Sequence, residues 1–130
     1  MLTVFLVDDD IDDQEIFLFV MKEAYSQAEC ILAQDGIQAL EKLRDTSFLP
    51  DIIFVDINMP RMNGTEFLLE LKKMSRLSNT PVFMYSTSYE QEIVARCKNL
   101  GATGFVKKYA DTDEVKREFL QIFSNLNAHG

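Results

Sequence analysis

Val4-Phe5-Leu6-Val7-Asp8-Asp9-Asp10 is an unbroken apolar run that stops abruptly on three acids. A strand with one wet face alternates apolar and polar residues, whereas a strand buried on both faces is apolar at every position. Residues 4–7 therefore read as a strand inside a covered sheet. Runs of the same kind return at residues 30–33, 52–55, 82–85 and 105–106, which makes five short buried strands.

The intervals between them carry helical spacing. Ile16, Phe17, Val20, Met21 and Ala24 recur at steps of three and four and would form one apolar stripe. Ile37, Leu40 and Leu43 repeat the pattern, followed by Phe67, Leu68, Leu71 and Met74, then Ile93, Val94, Cys97 and Leu100. A fifth stripe is made by Val115, Phe119, Ile122, Phe123 and Leu126, with Thr112 or Asp113 as the expected N-cap and Asp113 and Glu114 suited to the positive end of the helix dipole. Chain breakers fall between these segments, at Asp35-Gly36, Pro60 to Gly64, Asn79 to Pro81 and Gly101 to Gly104. Strands alternating with helices imply a parallel sheet with right-handed crossovers and helices on both faces. A closed eight-stranded barrel needs about 250 residues, and the chain has 130. An open, doubly wound α/β sheet remains, and such sheets bind ligands beyond the carboxyl ends of their strands.

Composition narrows the function. Hydrophobic residues at 47% and charged residues at 26% argue against disorder and against a disulfide scaffold. The chain is expected to be one domain over residues 1–130. A formal charge of -8 repels phosphate backbones and anionic lipid, so neither direct nucleic-acid binding nor membrane insertion is expected. No stretch approaches the roughly 18 apolar residues of a membrane span, and no secretory leader is evident. Cys30 and Cys97 both sit in apolar runs, as buried thiols of a reducing compartment do, and a cytoplasmic location is expected.

Chemistry gathers at the strand ends. The first strand ends in Asp8, Asp9 and Asp10, the third in Asp56, the fourth in Ser86, Thr87 and Ser88, and the fifth in Lys107 and Lys108. In the expected sheet these groups converge on one edge. Two carboxylates about 4 Å apart repel by roughly 4 kcal/mol at an effective dielectric of 20, so a cation is needed to hold them together. A site with few protein oxygens suits Mg²⁺, which keeps waters and accepts phosphate oxygens. A strand-end Asp beside Mg²⁺ and a lysine is placed to become an aspartyl phosphate.

Four motifs in order, Leu6-Val7-Asp8-Asp9-Asp10, Asp51 through Asp56 to Gly64, Pro81-Val82-Phe83-Met84-Tyr85-Ser86, and Gly104-Phe105-Val106-Lys107-Lys108, make the chain resemble a response-regulator receiver domain of two-component signalling. The resemblance spans essentially the whole chain. It implies a five-stranded parallel sheet of order 2-1-3-4-5, flavodoxin-like, with five helices. It implies Asp56 as phosphoacceptor, Asp9 as a direct Mg²⁺ ligand, Asp8 as a second acidic ligand acting directly or through water, and the backbone carbonyl of Asn58 as a further ligand. Ser86 matches the switch hydroxyl, Lys108 the phosphate-pairing lysine, and Phe105 the aromatic switch position, here without a phenol hydroxyl. The implied donor is a histidine kinase or histidine phosphotransfer protein, and the implied receiver of the signal is a downstream protein. A stand-alone receiver without an output domain is expected, acting in trans or in a phosphorelay, with no activity beyond self-phosphotransfer and self-dephosphorylation. One departure stands out: Tyr109 follows Lys108 where the family commonly has proline, often after a cis peptide. A cis bond before a non-proline residue costs about 2.5–4 kcal/mol, so a different loop is expected there.

Simpler readings compete with each assignment. Asp10, Asp12 and Asp13 are expected to do no more than cap and charge a helix N-terminus. An EF-hand fails, because Asp13 stands where its glycine and Phe19 where its bidentate Glu belong. Lys107 is a rival to Lys108, but strand alternation turns neighbours to opposite faces. His129 reads as a solvated terminal residue. Two other functions fit part of the pattern. A haloacid-dehalogenase-like phosphohydrolase would use Asp8-Asp9-Asp10 as Asp-x-Asp but leaves the Asp56 block unexplained. A phosphorylation-independent binding module would not need the charged site positions to be intact.

Overall fold

The structure is a computed structural model that describes residues 2–87, 90–108 and 111–129, the last three by backbone alone. Its strands are β1 (Thr3–Val7), β2 (Glu29–Ala33), β3 (Ile52–Val55), β4 (Val82–Ser86) and β5 (Gly104–Lys107). Its helices are α1 (Ile11–Ala24), α2 (Gly36–Arg44), α3 (Gly64–Leu71), α4 (Gln91–Asn99) and α5 (Thr112–His129), with one turn of 3-10 helix at Ser75–Leu77. All strands pair in parallel in the order β2-β1-β3-β4-β5, the doubly wound sheet that the apolar runs and the resemblance call for. β3 coincides with its apolar run, and the other four strands run one or two residues past theirs because backbone pairing does not require an apolar side chain: Thr3 pairs with Glu29, and Ser86 with Lys107.

Strand alternation divides the core in two. Phe5, Val7, Ile53, Val55, Val82 and Met84 point to one face, where α2, α3 and α4 cover them with Ala39, Leu40, Leu43, Phe67, Leu68, Leu71 and Cys97. Val4, Leu6, Ile52, Phe54, Tyr85 and Val106 point to the other, against Phe17, Val20 and Met21 of α1 and Val115, Phe119 and Phe123 of α5. Rings of Phe17, Phe54, Tyr85 and Phe119 meet there at centroid distances of 5.2–6.5 Å, in mostly edge-on or tilted pairs.

The helix stripes are narrower than the sequence suggests. Ile16 is 41% and Ile37 42% exposed, because α1 and α2 each lie on one sheet face and a residue at the stripe's margin turns to solvent. Met74 lies beyond α3 and packs half-buried against the core. Cys97 is buried, while Cys30 is only partly so. The N-cap of α5 is also displaced: the Asp111 carboxylate accepts from the Asp113 amide at 2.9 Å, and Thr112 is already helical. Asp111 does for this helix what was expected of Thr112 or Asp113. The side chain of His129, and Ser88 and Tyr109, lie outside the described residues, so the expected change of loop at Lys108-Tyr109 does too. Among the described residues, no helix is long and apolar enough to cross a membrane.

Candidate functional site

The order β2-β1-β3 means that the chain leaves β1 on one side and returns on the other, opening a crevice between the ends of β1 and β3. Sheet hydrogen bonding runs one residue past these ends. The Asp8 amide donates to the Ala33 carbonyl at 3.0 Å, the Asp56 amide to Val7 at 2.9 Å, and the Lys108 amide to Ser86 at 2.7 Å. Each of these three residues is thus placed by the backbone ladder before its side chain makes any contact.

Local turns then aim the side chains. The Asp8 carboxylate accepts from the Asp10 amide at 3.0 Å, and the buried Gln14 amide group donates to the Asp8 carbonyl at 2.6 Å, fixing the bend from β1 into α1. Asp10 caps α1 by accepting from the Asp13 amide at 3.1 Å. After β3, the Asn58 amide donates to Asp56 Oδ1 at 3.2 Å and the Gly64 amide to the Ile57 carbonyl at 2.8 Å. Asn63 and Glu66 form a reciprocal capping box that starts α3. Arg61 adopts a left-handed φ of 65° and pairs with the buried carboxylate of Asp35, the N-cap of α2. The segment after Asp56 is therefore tied both to α2 and to its own helix.

Asp8, Asp9 and Asp56 each bring a carboxylate oxygen within 4.8 Å of the others. Asp8 and Asp56 are buried, and Asp9 is exposed and open to solvent on the crevice side. The Lys108 ammonium, whose side chain is 8% exposed, lies 2.7 Å from Asp8 Oδ2, 2.9 Å from Asp13 Oδ2 and 3.4 Å from Asp56 Oδ2. It also stands 5.1 Å from the centroid of the Tyr85 ring. Asp8 Oδ2 is fully buried without a well-directed hydrogen-bond donor, so its compensation from Lys108 is that of an ion pair. Burial pushes the Asp56 carboxyl up to about 6; the Asp8 charge adds to the rise and Lys108 opposes it. Burial likewise raises Asp8, against the pull of Lys108 and the Asp10 amide. Burial by itself would lower the Lys108 ammonium, but its contacts with Asp8 and Asp13 and the charge of Asp56 outweigh that and raise it.

These groups suit a hard divalent cation: three carboxylates converge, Asp8 among them carries a buried oxygen with no hydrogen-bond donor, and Lys108 is the cation that offsets them among the described residues. Ser86 is buried at the last position of β4, beside Lys107 in the register. Phe105, half-buried on β5 opposite Met84, packs against the α2-α3-α4 side of the core. Lys107 is exposed, in contrast to Lys108. One sequence expectation is corrected. Asp10 does cap α1 and Asp12 is exposed, but Asp13 is no simple helix-end charge, because it pairs with Lys108 from 95 residues away. Gln14 was also without a signal in the sequence, since its partner is a main-chain carbonyl.

The profile of the response regulator receiver domain matches residues 4–119. The chain belongs to that family. The receiver is 36% identical over 104 residues to a protein-glutamate methylesterase/protein-glutamine glutaminase of Thiobacillus denitrificans, an alignment that takes in 75% of this chain and 28% of that protein. The chain thus spans less than a third of the length of the first such relatives it matches. The chemotaxis protein CheY4 of Vibrio cholerae superposes with a TM-score of 0.81 at 31% identity, covering 94% of this chain and 98% of that one. The Mn²⁺-bound form of response regulator Rcp1 superposes with a TM-score of 0.83 at 26% identity, covering 95% and 93%. Membership makes the receiver a phosphoacceptor signalling domain, and it disfavours both the phosphohydrolase and the phosphorylation-independent readings. Members of the family work with histidine kinases or phosphotransfer proteins on one side and downstream targets on the other, and a divalent metal is in keeping with the acidic cluster.

Proposed function

We propose that Asp56 is the residue that receives the phosphoryl group, from the phosphohistidine of a histidine kinase or a histidine phosphotransfer protein, and that Mg²⁺ is the working metal. The observation that carries this reading is the convergence of Asp8, Asp9 and Asp56 on one point with Lys108 beside them. Asp8, Asp9 and Asp56 would hold Mg²⁺ with the main-chain carbonyl of Asn58. The bound metal supplies charge neutralisation for a phosphoryl group in transfer.

The chain's own residues do the rest. An Asp56 carboxylate oxygen forms the new bond to phosphorus while the donor's P–N bond breaks and the imidazole leaves with a proton from solvent. Lys108 pairs with a phosphoryl oxygen, and the Ser86 hydroxyl donates to another. Phe105 answers to the new position of Ser86, and the face around β5 is read by a protein partner. Moving a 1:99 population to 99:1 needs about 5.5 kcal/mol, a sum within reach of a few charge-assisted bonds. The buried Asp56 with the exposed Asp9 beside it supports a domain that is modified and then read by a partner; a place in the cytoplasm, with no turnover of a separate substrate, completes the proposal.

Intact-mass measurement after incubation with a small phosphodonor and Mg²⁺ tests the reading. Wild type gains one phosphoryl mass, and Asp56→Ala gains none. Equal gain by both proteins removes Asp56 from the role.

A further inference from the structure

Lys108 has three N–H donors and three carboxylates around it, from Asp8, Asp13 and Asp56. Asp13 differs from the other two. It comes from the first turn of α1, where the Asp10 cap holds its amide, and it does not belong to the acidic cluster of Asp8, Asp9 and Asp56. A dication in that cluster would compensate Asp8 and Asp9 and leave Asp13 with Lys108 alone. Asp13 is also nearer to the ammonium than Asp56 is, 2.9 Å against 3.4 Å, and its side chain is 30% exposed, so it can remain charged without a partner.

We propose that Asp13 is a positioning residue that holds the Lys108 ammonium back from Asp56 and competes with the phosphoryl group for it, lowering the affinity of the site for a modified Asp56. This rests on the reading of Asp56 as phosphoacceptor. Phosphorylation turns the single charge of Asp56 into a dianion, and the one lysine must then be shared between that dianion and Asp13. The Asp13 carboxylate opposes modification twice: it occupies one N–H of the ammonium, and it repels the added charge across the partly buried site.

Beryllofluoride, which forms a dianionic adduct with an aspartate, is the probe, titrated calorimetrically at saturating Mg²⁺. Asp13→Asn and Asp13→Ser bind it about fivefold or more tighter than wild type, Asp13→Glu binds like wild type, and Asp12→Asn, which removes an equal charge from the exposed side of the same turn, stays within about twofold. Damage to α1 would weaken binding, so a gain is not what a merely structural role produces. Unchanged or weaker binding by both Asp13→Asn and Asp13→Ser, while wild type binds, overturns the role of Asp13 and leaves that of Asp56 standing. An equal gain in Asp12→Asn overturns it as well, in favour of general charge. Failure of wild type itself to bind removes the Asp56 reading and this one with it.

Discussion

A Cβ on residue 64 would lie 2.4 Å from the carbonyl oxygen of Asp56 and 2.8 Å from the Cα of Ile57. Both obstacles are backbone, so no side-chain rotation relieves them. The first turn of α3 therefore lies directly against the residue that follows β3. Gly64→Ala forces α3 and residues 56–57 apart, and we expect a loss of about 1–3 kcal/mol in urea unfolding together with weaker Mg²⁺ binding measured calorimetrically. A Gly64→Ala protein as stable as wild type would mean that the contact is not tight in solution.

Removing the buried Lys108 ammonium should cost far more than loss of an exposed ion pair would. Lys108→Ala leaves Asp8 and Asp56 uncompensated, and breaking a buried pair in this way costs about 3–5 kcal/mol. Thermal unfolding without metal should show that loss at pH 7 and a smaller one at pH 5, where the acids can protonate. Mg²⁺ should restore part of it. Equal losses at the two pH values would contradict the electrostatic origin.

The pH dependence follows from Asp56, whose carboxyl rises from 3.8 to about 6 on folding. Between those values the folded protein holds a proton that the unfolded chain has shed. The stability this group contributes is fully present below 3.8 and is lost as pH rises through about 6, leaving the charged state worse by about 3 kcal/mol. Without metal, then, stability should decline from pH 4 to pH 6.5 in the wild type, and the decline should be shallower in Asp56→Asn. Because Mg²⁺ must displace the same proton, its affinity should be level above about pH 7 and fall by up to about tenfold per unit below 6. Calorimetric titrations across this range check both slopes, and a level Mg²⁺ affinity down to pH 5 would refute the assignment.

Ser86 separates metal binding from phosphoryl binding. It is buried at the end of β4 and is not among the clustered carboxylates. Ser86→Ala should leave the Mg²⁺ affinity unchanged and weaken beryllofluoride binding by about tenfold or more, the worth of a hydrogen bond to a charged group. A loss confined to Mg²⁺ would assign the hydroxyl to the metal instead.

The strands, helices and chain breaks were legible because their signals are local, whereas the strand order rested on the resemblance. An apolar run such as residues 52–55 states by itself that it is buried on both faces, and Pro60 to Gly64 marks its own break in the chain. The gathering of Asp8, Asp56 and Lys108 could be expected for a related reason, since parallel strands put their carboxyl ends on one edge. Partnerships across that edge are another matter. Asp13 sits in a run of acids suited to a helix start, and nothing within its own turn marks it as the partner of a lysine 95 residues away. Ile16 and Ile37 follow the helical period of the buried positions, and only the direction of packing decides that they face solvent. The cap of α5 moved to Asp111 because Thr112, Asp113 and Asp111 are all good capping residues, and propensity alone does not choose among neighbours.

The 2.7 Å main-chain bond from Lys108 to Ser86 puts an alcohol and an amine on a common tether. Sliding the tip of β5 to bring the amine closer to Asp56 would drag along the strand that bears the alcohol. Natural drift or deliberate redesign can therefore retune the two groups one at a time only by exchanging side chains, and any shift of the underlying frame alters both together.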